Sequence, residues 1–192
     1  PRGYPRTSHF EYARFRARYE EEAKRFFLQD YTFIKINSLF PILPRDFDKS
    51  WSIQAYGERP KDRMGENSLS HIFQTSMGVS IGFFHERLIS YFLPGLQLEF
   101  AGGLEKNFRY GPLARLGFMF EVIDGLNLVS EFKTLYDANN NFEENWVLSS
   151  ENTMGLKLSQ NTQLRFSSAF YSQTRENLKY SSESKLEFDF FF

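Results

Sequence analysis

Apolar and polar residues alternate along most of this chain with a period of two, the spacing of a half-buried β-strand rather than a helix. Phe73, Thr75, Met77, Val79, Ile81 and Phe83 form one phase, set against Gln74, Ser76, Gly78, Ser80 and Gly82. Leu96, Leu98 and Phe100 oppose Gln97, Glu99 and Ala101, and Ala114, Leu116, Phe118, Phe120 and Val122 oppose Arg115, Gly117, Met119 and Glu121. Downstream, Leu126, Leu128, Phe132 and Tyr136 face away from Asn127, Glu131 and Lys133. Trp146, Leu148, Met154, Leu156 and Leu158 face away from Ser149, Glu151, Thr153 and Lys157. Leu164, Phe166 and Phe170 alternate with Gln163, Arg165 and Ser167, and Leu186, Phe188, Phe190 and Phe192 with Lys185, Glu187 and Asp189. Upstream, Phe15, Ala17 and Tyr19 alternate with Arg14, Arg16 and Arg18, and Trp51, Ile53 and Ala55 with Ser52, Gln54 and Tyr56. The stretch from Phe26 to Asn37 is strand-like, but its phase is ambiguous. The pattern predicts an all-β, antiparallel, up-and-down barrel of about ten strands, each roughly 10 to 14 residues long.

The connections alternate in length. Phe84–Arg87, Ile123–Gly125 and Ser159–Thr162 are tight, whereas Glu58–Ser70, Gly103–Tyr110, Asp137–Asn145 and Gln173–Ser181 are long and polar. Transmembrane β-barrels have short turns on the periplasmic side and longer loops outside. With the last strand running to a periplasmic Phe192, every short turn falls on that side, and the N-terminus does too. The connection from Ser38 to Asp48, with its two prolines, is long for such a turn. Pro1 to Thr7 reads as a Pro/Arg/Gly linker without the features of a signal peptide, and 8–192 reads as the barrel. The chain is therefore expected to be a mature product or the C-terminal part of a longer one.

Composition narrows the choice of partner. The net charge of −1 supplies no basic excess for nucleic acid. The absence of cysteine removes disulfides, thiolate metal sites and a cysteine nucleophile. No apolar run approaches the roughly 20 residues of a transmembrane helix. A barrel needs none, because only alternate residues of each strand meet lipid.

A soluble ten-stranded barrel of the fatty-acid-binding type alternates in the same way, with the apolar face inward. Long strands, connections of alternating length and an aromatic final strand favour the membrane barrel of a Gram-negative outer membrane. The polar phase then lines the lumen. It carries Arg14, Arg16, Arg18, Glu99, Arg115, Glu121, Glu131, Lys133, Glu151, Lys157, Arg165, Glu183, Lys185, Glu187 and Asp189, nearly balanced in sign. A narrow barrel of this strand number is largely filled by side chains, and buried charges must pair. The expectation is a plugged lumen, with Arg14, Arg16 and Arg18 bridging to Glu183, Glu187 and Asp189 where the first strand closes on the last. Phe188, Phe190 and Phe192 would be the signal read by the barrel-assembly machinery, and lipid would cover the outer wall.

Candidate chemistry is sparse. His9 and His85 fall on the periplasmic side and His71 on the other, so the three histidines share no site. Ser70 and His71 suggest a barrel hydrolase, with Glu58 or Glu66 as acid, but neighbours on a strand point to opposite faces. Glu187 and Asp189 share a face, with salt-bridging the simpler account. No metal-ligand spacing or phosphate-binding glycine loop is present, and no cofactor is expected. Tyr19, Tyr91, Tyr110, Tyr136, Trp146 and Tyr180 suit interfacial girdles.

The runs YTFIKINSLFP, from Tyr31 to Pro41, and FDKSWSIQAYGER, from Phe47 to Arg59, resemble the barrel portion of a bacterial family. Its members join a periplasmic domain, similar to thiol peptidases and lipoprotein N-acyltransferases, to a C-terminal outer-membrane barrel. Pro5 to His9, followed by Arg14, resembles the start of that barrel. The matching segments cover about a third of the chain. That family's catalytic cysteine and histidine lie in its upstream domain, so no catalytic residue carries over to this Cys-free chain. The resemblance implies an anchor for a periplasmic domain or partner. The alternatives are an outer-membrane enzyme (protease or lipid hydrolase) with a surface-side site, and a small-solute channel.

Overall fold

The computed structural model describes residues 8–20, 24–39, 49–58, 69–84, 87–101, 107–139, 146–159, 162–173 and 179–190. Ten strands follow one another: β1 (Ser8–Glu20), β2 (Arg25–Ser38), β3 (Ser50–Glu58), β4 (Ser70–Phe83), β5 (Leu88–Phe100), β6 (Phe108–Ile123), β7 (Leu126–Tyr136), β8 (Trp146–Lys157), β9 (Thr162–Gln173) and β10 (Lys179–Phe190). Each pairs antiparallel with the next, giving one curled sheet in the order β1 to β10. This is the up-and-down architecture that the alternation predicts. Pro1 to Thr7, the connection 40–48 and Phe192 lie outside the described residues, as do the side chains of Arg18, Glu187, Phe188, Asp189 and Phe190.

The two faces of the sheet are the reverse of a water-soluble barrel. Along β4, Ser70, Gln74, Ser76 and Ser80 are buried on the concave side, while Phe73, Met77, Val79, Ile81 and Phe83 are exposed on the convex side. The same division holds on β5 and β6: Gln97, Glu99, Arg109 and Arg115 are buried, and Leu96, Leu98, Phe100, Leu116 and Phe118 are exposed. On β3, Ser52 and Gln54 point inward and Ile53 outward.

The ambiguous phase of β2 has a structural cause. The β2–β3 register shifts between Thr32 and Ile34, and the β1–β2 register shifts where Arg16 gives way to Ala17. A bulge of this kind inserts one residue and reverses the facing of all that follows. Phe26 and Leu28 are exposed before the first break, Phe33 is exposed at the second, and Asn37 faces the interior beyond it. Ala13, opposite Phe33, has φ 54° and produces the matching reversal in β1. Phe10 and Tyr12 are exposed before it, Phe15 after it.

β5 begins earlier than its Leu96–Phe100 alternation suggests and runs through Pro94. Proline has no N–H for a ladder, and the β4–β5 pairing lapses between Ser76↔Gly95 and Val79↔Phe92. The strands pinch together there. A Cβ on Gly78 would fall on the Phe92 carbonyl, and one on Gly95 on the Thr75 carbonyl.

Of the residues expected at the seam, the side chains of Arg18, Glu187 and Asp189 lie outside the described residues. Among the described residues, no ladder joins β1 to β10. Arg14 pairs with Glu11 at 2.8 Å and Asp30 at 3.8 Å, and Arg16 with Asp30 at 3.1 Å. Asp30 stands opposite Arg16 in the β1–β2 ladder. Glu183 is bridged by Lys185 at 3.0 Å, on its own strand.

Candidate functional site

The concave interior gathers most of the chemistry-bearing side chains, and its centre is Arg115 on β6. In strand phase with Leu113, its guanidinium points inward and is almost fully buried. Arg115 Nη2 donates to Glu131 Oε2 at 2.7 Å and Nε to Glu131 Oε1 at 3.1 Å, a two-pronged pair with β7. The Tyr91 hydroxyl on β5 donates to the same Glu131 Oε2 at 2.5 Å. Arg115 Nη1 donates to Ser52 Oγ at 2.7 Å, and Ser52 donates in turn to Asn37 Oδ1 at 2.6 Å. With its oxygen turned to the guanidinium, the Gln54 carboxamide also accepts from Arg115, at 3.0 Å.

These bonds tie together strands that are not neighbours in the sheet. Arg115 joins β6 to β3, and Lys133 Nζ on β7 reaches the Tyr56 hydroxyl on β3 at 3.5 Å. The curl of the sheet brings these residues across the interior to one another. Such cross-links satisfy charges that would otherwise be buried at a cost of several kcal/mol each, roughly, in a low-dielectric setting.

A second cluster lies near the long-loop end. Arg109 Nε donates to Glu99 Oε2 at 2.9 Å, and Arg109 Nη2 bonds the same oxygen. Glu99 and Arg109 are 2% and 5% exposed, so this ion pair is shut off from solvent. Gln97 and Gln74 extend the chain: Gln74 Nε2 donates to Gln97 Oε1 at 2.5 Å and to the Tyr56 hydroxyl at 3.2 Å. A cavity of about 40 Å³ opens beside the pair, lined among others by Glu58, Ser70, Arg109, Lys133, Ser149 and Tyr171. It has room for a few water molecules. Tyr171 donates to Glu151 Oε1 at 2.8 Å.

At the short-turn end a small apolar cluster sits beside the buried Ser50–Ser80 hydroxyl pair, which is 2.8 Å apart. Leu39, Ile89, Tyr91 and Leu93 form a buried cluster with Met119 packed against it.

Of the residues that the alternation assigns to the interior, Arg115, Glu131 and Lys133 meet in one network with Tyr91 and Tyr56. Glu151 is held by Tyr171, while Arg14 and Arg16 sit apart with Asp30. Glu121 and Arg165 are half-buried and also engaged; Arg165 stands opposite Glu187 in the β9–β10 ladder. Sequence reading misses Arg109, because β6 starts inside the expected Gly103–Tyr110 loop. Its spacing of six from Arg115, an even number along a strand, was the available signal. Tyr91 is a correction: it is an interior hydroxyl, not a girdle aromatic. Tyr110, Tyr136 and Trp146 do sit at the long-loop rim, where Tyr136 and Trp146 meet edge-to-face at 5.2 Å; Tyr110 stacks on Phe108.

The hydrolase pair is separated by the sheet. Ser70 is buried inside, while His71 is exposed on the convex face, where Nδ1 meets the Tyr31 hydroxyl at 2.6 Å. Glu58 is opposite Ser70 in the ladder and faces inward with it, and Glu66 lies outside the described residues. Among the described residues, no three His, Cys, Asp or Glu side chains gather as a metal site.

The arrangement defines a class of domain: an up-and-down β-sheet curled around a hydrogen-bonded polar interior, with its apolar side chains outward. The chain belongs to the domain of unknown function DUF7840, whose profile matches residues 1–191. No curated protein and no solved structure matches it significantly.

Proposed function

We propose that this chain is an outer-membrane β-barrel domain with a plugged interior, serving to anchor a periplasmic domain or partner. The observation that carries the proposal is the reversed burial of the sheet. Phe73, Met77, Phe92, Leu96, Leu116 and Phe118 are each at least 40% exposed on one continuous face, while Arg115 and Glu99 are covered. Water-soluble monomers rarely expose so large an apolar surface, whereas lipid requires it.

The Arg115–Glu131–Tyr91 network and the Leu39 cluster are the plug. Charges that satisfy one another across the interior leave no single-sign lining to select an ion, so transport is disfavoured. His71 on the lipid side, away from Ser70, leaves the hydrolase reading without its base. The anchoring role rests on the resemblance of residues 31–41 and 47–59, with both termini periplasmic and the final strand serving assembly. In hydrocarbon a free strand edge leaves backbone groups without partners, so β1 and β10 must be satisfied once inserted, most simply by each other.

Two measurements test the proposal. The chain, expressed with an outer-membrane signal, should be recovered from that membrane in a folded form whose gel mobility changes on heating. Reconstituted in a planar bilayer, it should show no steady openings. Recovery from the soluble fraction would sink the membrane reading, and a steady conductance would sink the plug.

A further inference from the structure

The convex face is not apolar throughout. Across β7 to β10 one register row reads Ser130, Asn152, Ser168, Ser184, each directly opposite the next. In the adjacent row, one step toward the long loops, Ser150 and Ser182 alternate with Phe132 and Phe170. These positions share their face with Phe132, Met154, Phe166, Phe170 and Leu186, all exposed. They lie near the middle of each strand, not at its ends. Beyond Ser130 the same row passes to Phe118 on β6, where the face is again hydrocarbon. The band therefore belongs to one side of the molecule.

Its groups are only partly used. Ser130 Oγ donates to Asn152 Oδ1 at 2.7 Å, and Asn152 Nδ2 reaches Ser150 Oγ at 3.4 Å. Among the described residues, the hydroxyls of Ser168 and Ser184 have no side-chain partner. Acyl chains can supply none, so a polar band at this height is costly against lipid and favourable against protein. Every group in it is uncharged, and each hydroxyl or carboxamide both donates and accepts. Such a patch complements an identical copy of itself. No excess of one charge calls for a partner of the other sign, and the small serines allow two walls to approach closely.

We propose that, given the membrane-embedded reading above, the β7–β10 wall is the contact face of a homodimer. A second copy of this chain, related by a two-fold axis normal to the membrane, sets its Ser/Asn row against the first. The aromatic side chains Phe132, Phe166 and Phe170 form the apolar surround of the hydrogen-bonded strip.

The chain has no cysteine, so single cysteines report on the contact directly. Ser168→Cys and, independently, Ser184→Cys would be compared with Val79→Cys on the β4 wall, in intact membranes, with a short bis-maleimide. Only heat-modifiable, membrane-inserted protein is scored. The two β9–β10 variants should yield roughly tenfold more covalent dimer than Val79→Cys, the ratio that one or two membrane hydrogen bonds support. Adding Asn152→Val should reduce the Ser168→Cys product severalfold. Inserted protein that cross-links no better at Ser168 and Ser184 than at Val79 overturns the dimer and leaves the membrane reading intact. Cross-linking to a different protein overturns the second copy as occupant. Recovery of the parent chain in the soluble fraction overturns both readings together.

Discussion

At the scale of single residues, Arg115 is the position on which most interior contacts depend. Replacing it by methionine leaves Glu131 charged and held only by Tyr91, and removes the donor that Ser52 accepts from. Breaking a buried pair from one side costs about 3–5 kcal/mol. Arg115→Met should therefore lower the urea midpoint of the folded protein in detergent markedly. Adding Glu131→Gln to it should recover most of that loss, because no uncompensated charge is then buried. If the single variant unfolds at the parental midpoint, the network is not a structural element. On the other face, Val79 is 46% exposed near the middle of β4. Val79→Arg should cost about 2–4 kcal/mol if lipid covers this wall, and about 0.5 kcal/mol or less if water does. Equilibrium unfolding from bilayers distinguishes the two.

The elements were legible where alternation is unbroken. β4, β6 and β7 could be phased from sequence because Phe73 to Phe83, Ala114 to Val122 and Leu126 to Tyr136 keep period two. β2 could not, since the breaks beside Asp30 and at Phe33 shift the outward set twice, and a bulge leaves no dependable mark in composition. Ala13 shows the strain of such a site: a non-glycine residue at φ 54° pays a penalty that glycine escapes. Ala13→Gly should stabilise the folded state by about 1 kcal/mol, seen as a rise in the unfolding midpoint. A fall would mean that β1 does not hold this conformation. The start of β5 was hidden by Pro94, which argues against a strand at its position but is tolerated where the ladder to β4 lapses. Mistaking Tyr91 for a girdle residue has the same origin. It lies in that unrecognised half-strand, so its phase was not available.

For the whole molecule, the proposed membrane placement together with the alternation of short and long connections predicts a direction of insertion. A peptide tag inserted between Asp137 and Asn145 should be reached by antibody on intact cells, whereas one at Asp124 should be reached only after permeabilisation. The opposite pattern would reverse the orientation and place the Leu39 cluster at the outer mouth.

What the sequence determined by itself was the set of strands and, for most of them, which side chains share a face, because the two-residue repeat is a local property of an extended chain. It also identified Arg115, Glu131 and Lys133 as interior charges. The tertiary structure decided which groups meet. Arg115 reaches Ser52 across the sheet, Arg14 and Arg16 meet Asp30 of the neighbouring strand, and four polar side chains scattered over 55 positions of sequence, from Ser130 to Ser184, align in one row. These contacts depend on ladder register and sheet curvature, and both arise from pairing between strands rather than from any one of them.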